Sequence, residues 1–205
     1  MKNYLMLNNK QIKLSAKQVK QIEESFGLNK TQLKDVAVGD TFKVGDLEFI
    51  VLEHKEYSPG NCETFVILKD FWKTDKFDES SNDYKESSIR KSLNTEFYAL
   101  LSNAVGSENI VKHTVDLTAD DGRIDYGTCE DNISLLTCDM YRKYGYILDK
   151  YNFKKWWLLA TPYSTKSNGY ALSVRCVCPD GTLYQLNCSR SLGVRPFCIL
   201  KSSIF

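Results

Sequence analysis

The chain has 205 residues, 42% of them hydrophobic and 12% aromatic, which is enough apolar material for a proper core and excludes a disordered segment. Its 27 Lys and Arg against 26 Asp and Glu leave a net charge of +1, so charge gives no general attraction to nucleic acid or to acidic lipid. No apolar run reaches the length that spans a bilayer, and the N-terminal residues lack the apolar stretch and cleavage site of a signal peptide. The chain therefore reads as cytoplasmic, which includes the interior of a phage-infected bacterial host cell. With no export signal, its 7 cysteines are expected to be reduced and buried rather than bridged.

In chain order, residues 1–37 read as a small hairpin–helix module and residues 38–205 as the main domain. Tyr4–Leu7 and Gln11–Leu14 flank the turn Asn8-Asn9-Lys10. Ser15 then caps a helix, with Gln18 three residues on, an apolar stripe of Val19, Ile22 and Phe26, and Gly27 as the stop. Lys17, Lys20 and Lys30 near this helix suit a solvated face better than a recognition helix, and the module offers a surface for homo-oligomer formation. Residues 38–53 give two strands around Gly45-Asp46, and Phe65–Lys69 give a third. Ser88–Leu101 reads as an amphipathic helix with Ile89, Leu93, Phe97 and either Leu100 or Leu101 on one face. A loop rich in Asp and Gly runs from Asp116 to Asn132. An ordered element begins at Ile133–Thr137, and Cys138–Tyr144 is a short helix.

Three cysteines crowd the stretch RCVCPDGTLYQLNC, Arg175 to Cys188. Pro179-Asp180-Gly181 is a turn signal, and it sets an antiparallel register. Cys178 then meets Thr182, Cys176 meets Tyr184, Val174 meets Leu186 and Leu172 meets Cys188, with all these apolar residues on one face. A slip of one residue would scramble both faces. Thiols pointing in different directions, with neither His54 nor His113 at ligand spacing, make a poor metal site and a poor nucleophile–base pair. The opposite face carries Arg175 opposite Gln185 and Ser173 opposite Asn187, followed by Ser189 and Arg190. A hydrogen-bonding cluster on a braced hairpin suits recognition of a protein or polar ligand, and the same residues would also clothe an ordinary solvated sheet. Asp116, Asp120, Asp121 and Asp125 supply oxygen ligands of the kind calcium takes, but without the spacing of an EF-hand. No phosphate loop, nucleophile elbow or zinc-protease motif occurs, and no cofactor is implied.

The stretches GDTFKVGDLEFIVLE, ESSIRKSLNTEFYALLS, DYGTCEDNISLLTCDMYRKY, WWLLATP, CVCPDGTLY and GVRPFCILK occur in this order over about residues 38–201. Together they resemble a bacterial and phage domain family of unknown function with WWLRSP, DG and GVRPAL motifs, a divergent branch of the C-type-lectin-like fold shared with formylglycine-generating enzymes and with the variable receptors of diversity-generating retroelements. The resemblance implies an α+β, C-type-lectin-like mixed fold with twisted antiparallel strands and two or more helices. It implies that Trp156 and Trp157 open a core strand and that Gly193-Val194-Arg195-Pro196 closes the fold, with Arg195 tied to buried carbonyls. Carried over from the retroelement receptors, the ligand-contacting positions are Ser173, Arg175, Tyr184, Gln185, Asn187, Ser189 and Arg190, although Tyr184 falls on the inward side of the register above. Leu159-Ala160 departs from the usual Arg-Ser, and the copper-binding cysteine pair of the formylglycine-generating enzymes has no counterpart. The expectation is a non-enzymatic module of phage or prophage type that binds a protein through the exposed face of this hairpin. The alternatives are an anti-CRISPR-like inhibitor of a bacterial host-defence nuclease, and a divergent oxidoreductase using Cys176, Cys178 or Cys188.

Overall fold

The computed structural model describes residues 4–7, 10–15, 17–19, 21, 32–58, 60–151 and 154–205. The N-terminal hairpin is present as β1 (Tyr4–Leu7) and β2 (Lys10–Lys13), paired Leu5 to Ile12. The expected capping box is present too: Gln18 Oε1 accepts from Ser15 N–H at 3.0 Å, and Ser15 Oγ accepts from Gln18 N–H at 3.3 Å. Residues 17–19 and 21 are helical, while Ile22, Phe26 and Gly27 lie outside the described residues.

From Leu33 onward the structure is mixed α+β, with antiparallel sheets and, among the described residues, three α-helices. β3 (Thr41–Val44) and β4 (Leu47–Ser58) form a hairpin whose turn places Gly45 at φ +56°, a backbone conformation costly for residues with a Cβ. β5 (Asn61–Leu68) returns beside β4, beginning earlier than the apolar run at Phe65 suggests. β15 (Phe197–Lys201) lies inside this sheet, pairing with β5 on one side and with β7 (Ile110–Val111) and β10 (Ile133–Ser134) on the other. The second sheet runs β13 (Leu183–Asn187), β12 (Ser173–Val177), β11 (Trp157–Pro162), β14 (Leu192–Val194), β6 (Lys73–Asp75). Trp157 thus opens a buried strand, and Gly193 pairs with it in parallel. Part of the loop expected over 116–132 is strand: β9 (Thr128–Asp131) pairs with β8 (His113–Asp116).

Two apolar clusters hold the sheets. Phe49, Val51, Val66 and Leu68 meet Leu158, Ala160, Val174 and Cys176 in one. Ile50, Ile67 and Phe197 meet Trp157, Leu159 and Val177 in the other, under α3 (Cys138–Leu148), which runs a turn further than Tyr144 and contributes Tyr141, Tyr144, Ile147 and Leu148. The Ser88–Leu101 segment is α1 (Ser88–Ser92) and α2 (Tyr98–Val105), with a π-helical segment, Leu93–Phe97, between them. In an unbroken α-helix Leu100, eleven residues on, would fall nearly in phase with Ile89. The π segment adds one residue to the turn and shifts the phase, so Leu101 is buried and Leu100 exposed. Asn94, in this segment, accepts from Asn132 and Ile133 N–H at 3.1 and 3.2 Å and donates to the Ile133 carbonyl at 2.9 Å. No helix among the described residues is long and apolar enough to cross a membrane.

Candidate binding surface on the C-terminal hairpin

The β12–β13 hairpin has the register read from its turn: Ser173 pairs with Asn187, Val174 with Leu186, Arg175 with Gln185 and Cys176 with Tyr184. Val174, Cys176 and Cys188 are fully buried, and Cys178 at the turn is buried as well. Burial pushes the Cys176 thiol up to about 12 and raises Cys188 and Cys138, so these sulfurs stay protonated at neutral pH and lack the thiolate that redox or nucleophilic chemistry uses. Among the described residues no three His, Cys, Asp or Glu side chains converge as a metal site.

Three expectations for this hairpin are corrected by its surroundings. Leu172, expected on the core face, is 44% exposed, because it precedes the strand and lies in the connecting loop. Tyr184, expected to point inward, is 53% exposed: it does face the Cys176 side, but β13 is the edge strand, and the ring rests edge-on against Trp156 at 5.7 Å. Arg175, expected in solvent, has a side chain only 13% exposed. Its guanidinium lies 5.9 Å from the Tyr163 ring, and its Nε is 3.3 Å from Asp120 Oδ2, close enough for an ion pair but out of line for a hydrogen bond. Asp120 also takes Arg142 of α3 at 2.7 Å. Arg175 therefore positions this corner. Ser173, Gln185 and Ser189 are half-buried, and Asn187 and Arg190 are exposed.

The sequence reading missed the loop between β11 and β12, which completes this surface. It reads YSTKSNGY from Tyr163 to Tyr170. Gly169 takes φ +80° and ends its 3-10 turn. Tyr163 and Tyr170 meet edge to face at 5.3 Å, and Tyr170 is exposed. A buried side chain fixes this loop. Asn82 Nδ2 lies 2.7–2.8 Å from the carbonyls of Ser164, Tyr170 and Ser173, while Asn82 Oδ1 accepts from Tyr126 O–H at 2.7 Å. From the other side Asp121 accepts from Ser164 at 2.6 Å, and Asp125 accepts from Thr165 and Ser167. These hydroxyl donors hold both carboxyls below the usual range. The four aspartates weighed as calcium ligands are thus dispersed: Asp120 is on arginines, Asp121 and Asp125 are on hydroxyls, and Asp116 accepts from Thr118. The Tyr/Ser/Asn/Gly composition, which pairs rigid aromatic area with adaptable hydrogen bonding, was the available signal.

The two histidines stand apart from this surface. His54 Nε2 is 2.8 Å from the Val36 carbonyl, which only accepts, so Nε2 carries the proton and Nδ1 accepts from Thr64 O–H at 2.8 Å. Thr64 Oγ1 in turn accepts from Ser202 O–H at 2.6 Å. Both hydroxyls are buried, so this relay ties the C-terminal residues to β4 and β5 and has no access to a substrate. Comparison with protein-family models, curated proteins and solved structures returns no match to this chain.

Proposed function

We propose that this chain is a non-enzymatic binding module that docks a protein partner on the surface made by the Tyr163–Tyr170 loop and the open end of the β12–β13 hairpin. The observation that carries the reading is the exposed Tyr170, edge to face with Tyr163, in a loop whose Ser164 and Tyr170 carbonyls are held by the amide of buried Asn82. Tyrosine and arginine dominate interface hot spots, and a loop ordered before binding loses little entropy on docking. Ser173, Gln185, Asn187, Ser189 and Arg190 supply the surrounding hydrogen bonds, and Arg175 positions Tyr163. The protonated thiols of Cys176 and Cys188 and the buried Thr64 and Ser202 hydroxyls beside His54 support a role without catalysis. The two-sheet α+β architecture closed by the Val194-Arg195-Pro196 segment is compatible with a C-type-lectin-like fold, and phage or prophage origin and a cytoplasmic location are part of the same proposal.

The test is capture of partners from bacterial lysate on wild type and on Tyr170→Ala with Arg190→Ala, followed by calorimetry with the purified partner. Affinity is expected to fall at least about tenfold, which roughly 1.4 kcal/mol achieves. Tyr146→Ala, on an exposed tyrosine of α3, is expected to bind as wild type does. A folded double variant with unchanged affinity sinks this placement.

A further inference from the structure

Among the described residues, β13 ends the five-stranded sheet and pairs on one side only, with β12. The bonds from Cys178 N–H to the Thr182 carbonyl, 2.8 Å, and from Cys188 N–H to the Leu172 carbonyl, 2.7 Å, bracket this ladder and set its phase. Hydrogen-bonded pairs alternate along an antiparallel ladder, so Tyr184 and Leu186 direct their backbone groups to β12. Leu183, Gln185 and Asn187 direct theirs outward. Of these outward groups, the Asn187 carbonyl accepts internally, from Arg190 N–H at 3.0 Å.

Sheet edges are normally blunted by lysine, proline, a bulge or a covering element. The other edge strand of this sheet, β6, reads KTD, and β3, at the edge of the first sheet, carries Lys43. β13 carries no lysine, proline or bulge, and among the described residues no further strand pairs with it. Residues 182–188 read TLYQLNC, without charge or proline, and the β12–β13 register runs without a shift.

We infer that β13 pairs antiparallel with β13 of a second copy of this chain, about a two-fold axis at Gln185, making one continuous sheet from two. The open backbone groups are centred on Gln185, so the strand complements its own reverse: Leu183 faces the second copy's Asn187, and Gln185 faces its counterpart. Isologous pairing of this kind uses one patch twice. A neutral strand meets itself without like-charge repulsion, and it offers no charge by which to select a foreign strand. On one face Tyr184 lies against the second copy's Leu186, covering the exposed ring; on the other the two Gln185 amides meet.

Light scattering on the eluting protein, across a micromolar concentration series, reads the mass. The expected result is twice the 23.5 kDa of the chain at the upper end, falling to the single mass on dilution. Gln185→Pro is expected to stay monomeric throughout, because residue 185 donates outside the internal ladder and proline removes that donor alone. Should the proline variant lose its fold by circular dichroism, Gln185→Lys leaves the backbone intact, brings two ammonium groups to the axis and gives the same shift. Under oxidation Gln185→Cys is expected to cross-link two chains more readily than Ser191→Cys. Opposed Cα atoms in a hydrogen-bonded antiparallel pair stand about 5.5 Å apart, inside the roughly 4.4–6.8 Å a disulfide spans. A single-chain mass at every concentration overturns the inference, as does a dimer that persists in folded Gln185→Lys, or a monomer whose β13 edge takes up a foreign strand. Tyr170 and Arg190, the probes of the binding surface, lie off β13, so the two readings fail separately.

Discussion

Arg195 and Arg175 are both largely buried, and different neighbours hold each of them. Arg195 is 2% exposed, donates from Nε to the Leu68 carbonyl at 3.0 Å and lies 5.3 Å from the Trp157 ring centre. Burial pulls its guanidinium down to about 10, which still leaves it charged at neutral pH. Replacing it leaves a carbonyl without that donor and an aromatic face without its cation, in a region too tight to refill. Arg195→Ala is therefore expected to destabilise by at least about 2 kcal/mol in urea titration. A loss below about 0.5 kcal/mol would show that Arg195 is not structural. The position of Arg195 between Val194 and Pro196 made this role readable. Arg175 reads as the polar partner of Gln185, and its strand partner is indeed Gln185. What covers it, Asp120 and Tyr163, comes from two other loops, and no local pattern carries that information.

At the scale of elements, the hairpin was legible because alternation and a Pro-Asp-Gly turn specify register within one short stretch. The helix phase was not: whether Leu100 or Leu101 goes inside depends on a π segment in which Asn94 reaches Asn132 and Ile133, residues distant in sequence. The Tyr163–Tyr170 loop depends likewise on Asn82, which sits in a polar, turn-rich stretch with nothing to mark it. Removing that side chain takes away the two N–H groups shared among the Ser164, Tyr170 and Ser173 carbonyls, and the acceptor of the Tyr126 hydroxyl. Asn82→Ala is expected to cost roughly 1–3 kcal/mol and to speed amide exchange across residues 163–173 more than in β4 or β5. Uniform exchange across the molecule would mean that Asn82 does not hold this loop in particular.

For the molecule as a whole, acid sensitivity has a named contributor. Burial, with Phe197 edge-on at 5.2 Å, pushes the His113 ring below its ordinary value. In the unfolded chain the ring takes a proton near 6.5. Below that pH the unfolded state binds a proton that the folded state lacks, so stability falls as pH drops from about 6.5 towards the folded value, and the ring adds no slope above it. His113→Gln is expected to flatten unfolding free energy between about pH 6.5 and 5, where ordinary carboxylates are still ionised. An unchanged slope would assign the sensitivity elsewhere.

β15 imposes an order on synthesis. Ile67, Val111 and Ile133 all line its flanks, yet each leaves the ribosome long before Phe197–Lys201 does. Until then the first sheet has a gap where its interior strand belongs, and the β5 edge, with Phe65 and Ile67 beside it, stands open. The nascent chain must therefore wait for residues 197–201 to emerge before this sheet can close, exposing a sticky edge to chaperones and proteases in the interval. A stop codon just before residue 197 would remove the strand that joins three others, and its product would be expected among degraded chains rather than as a slightly shorter, working protein.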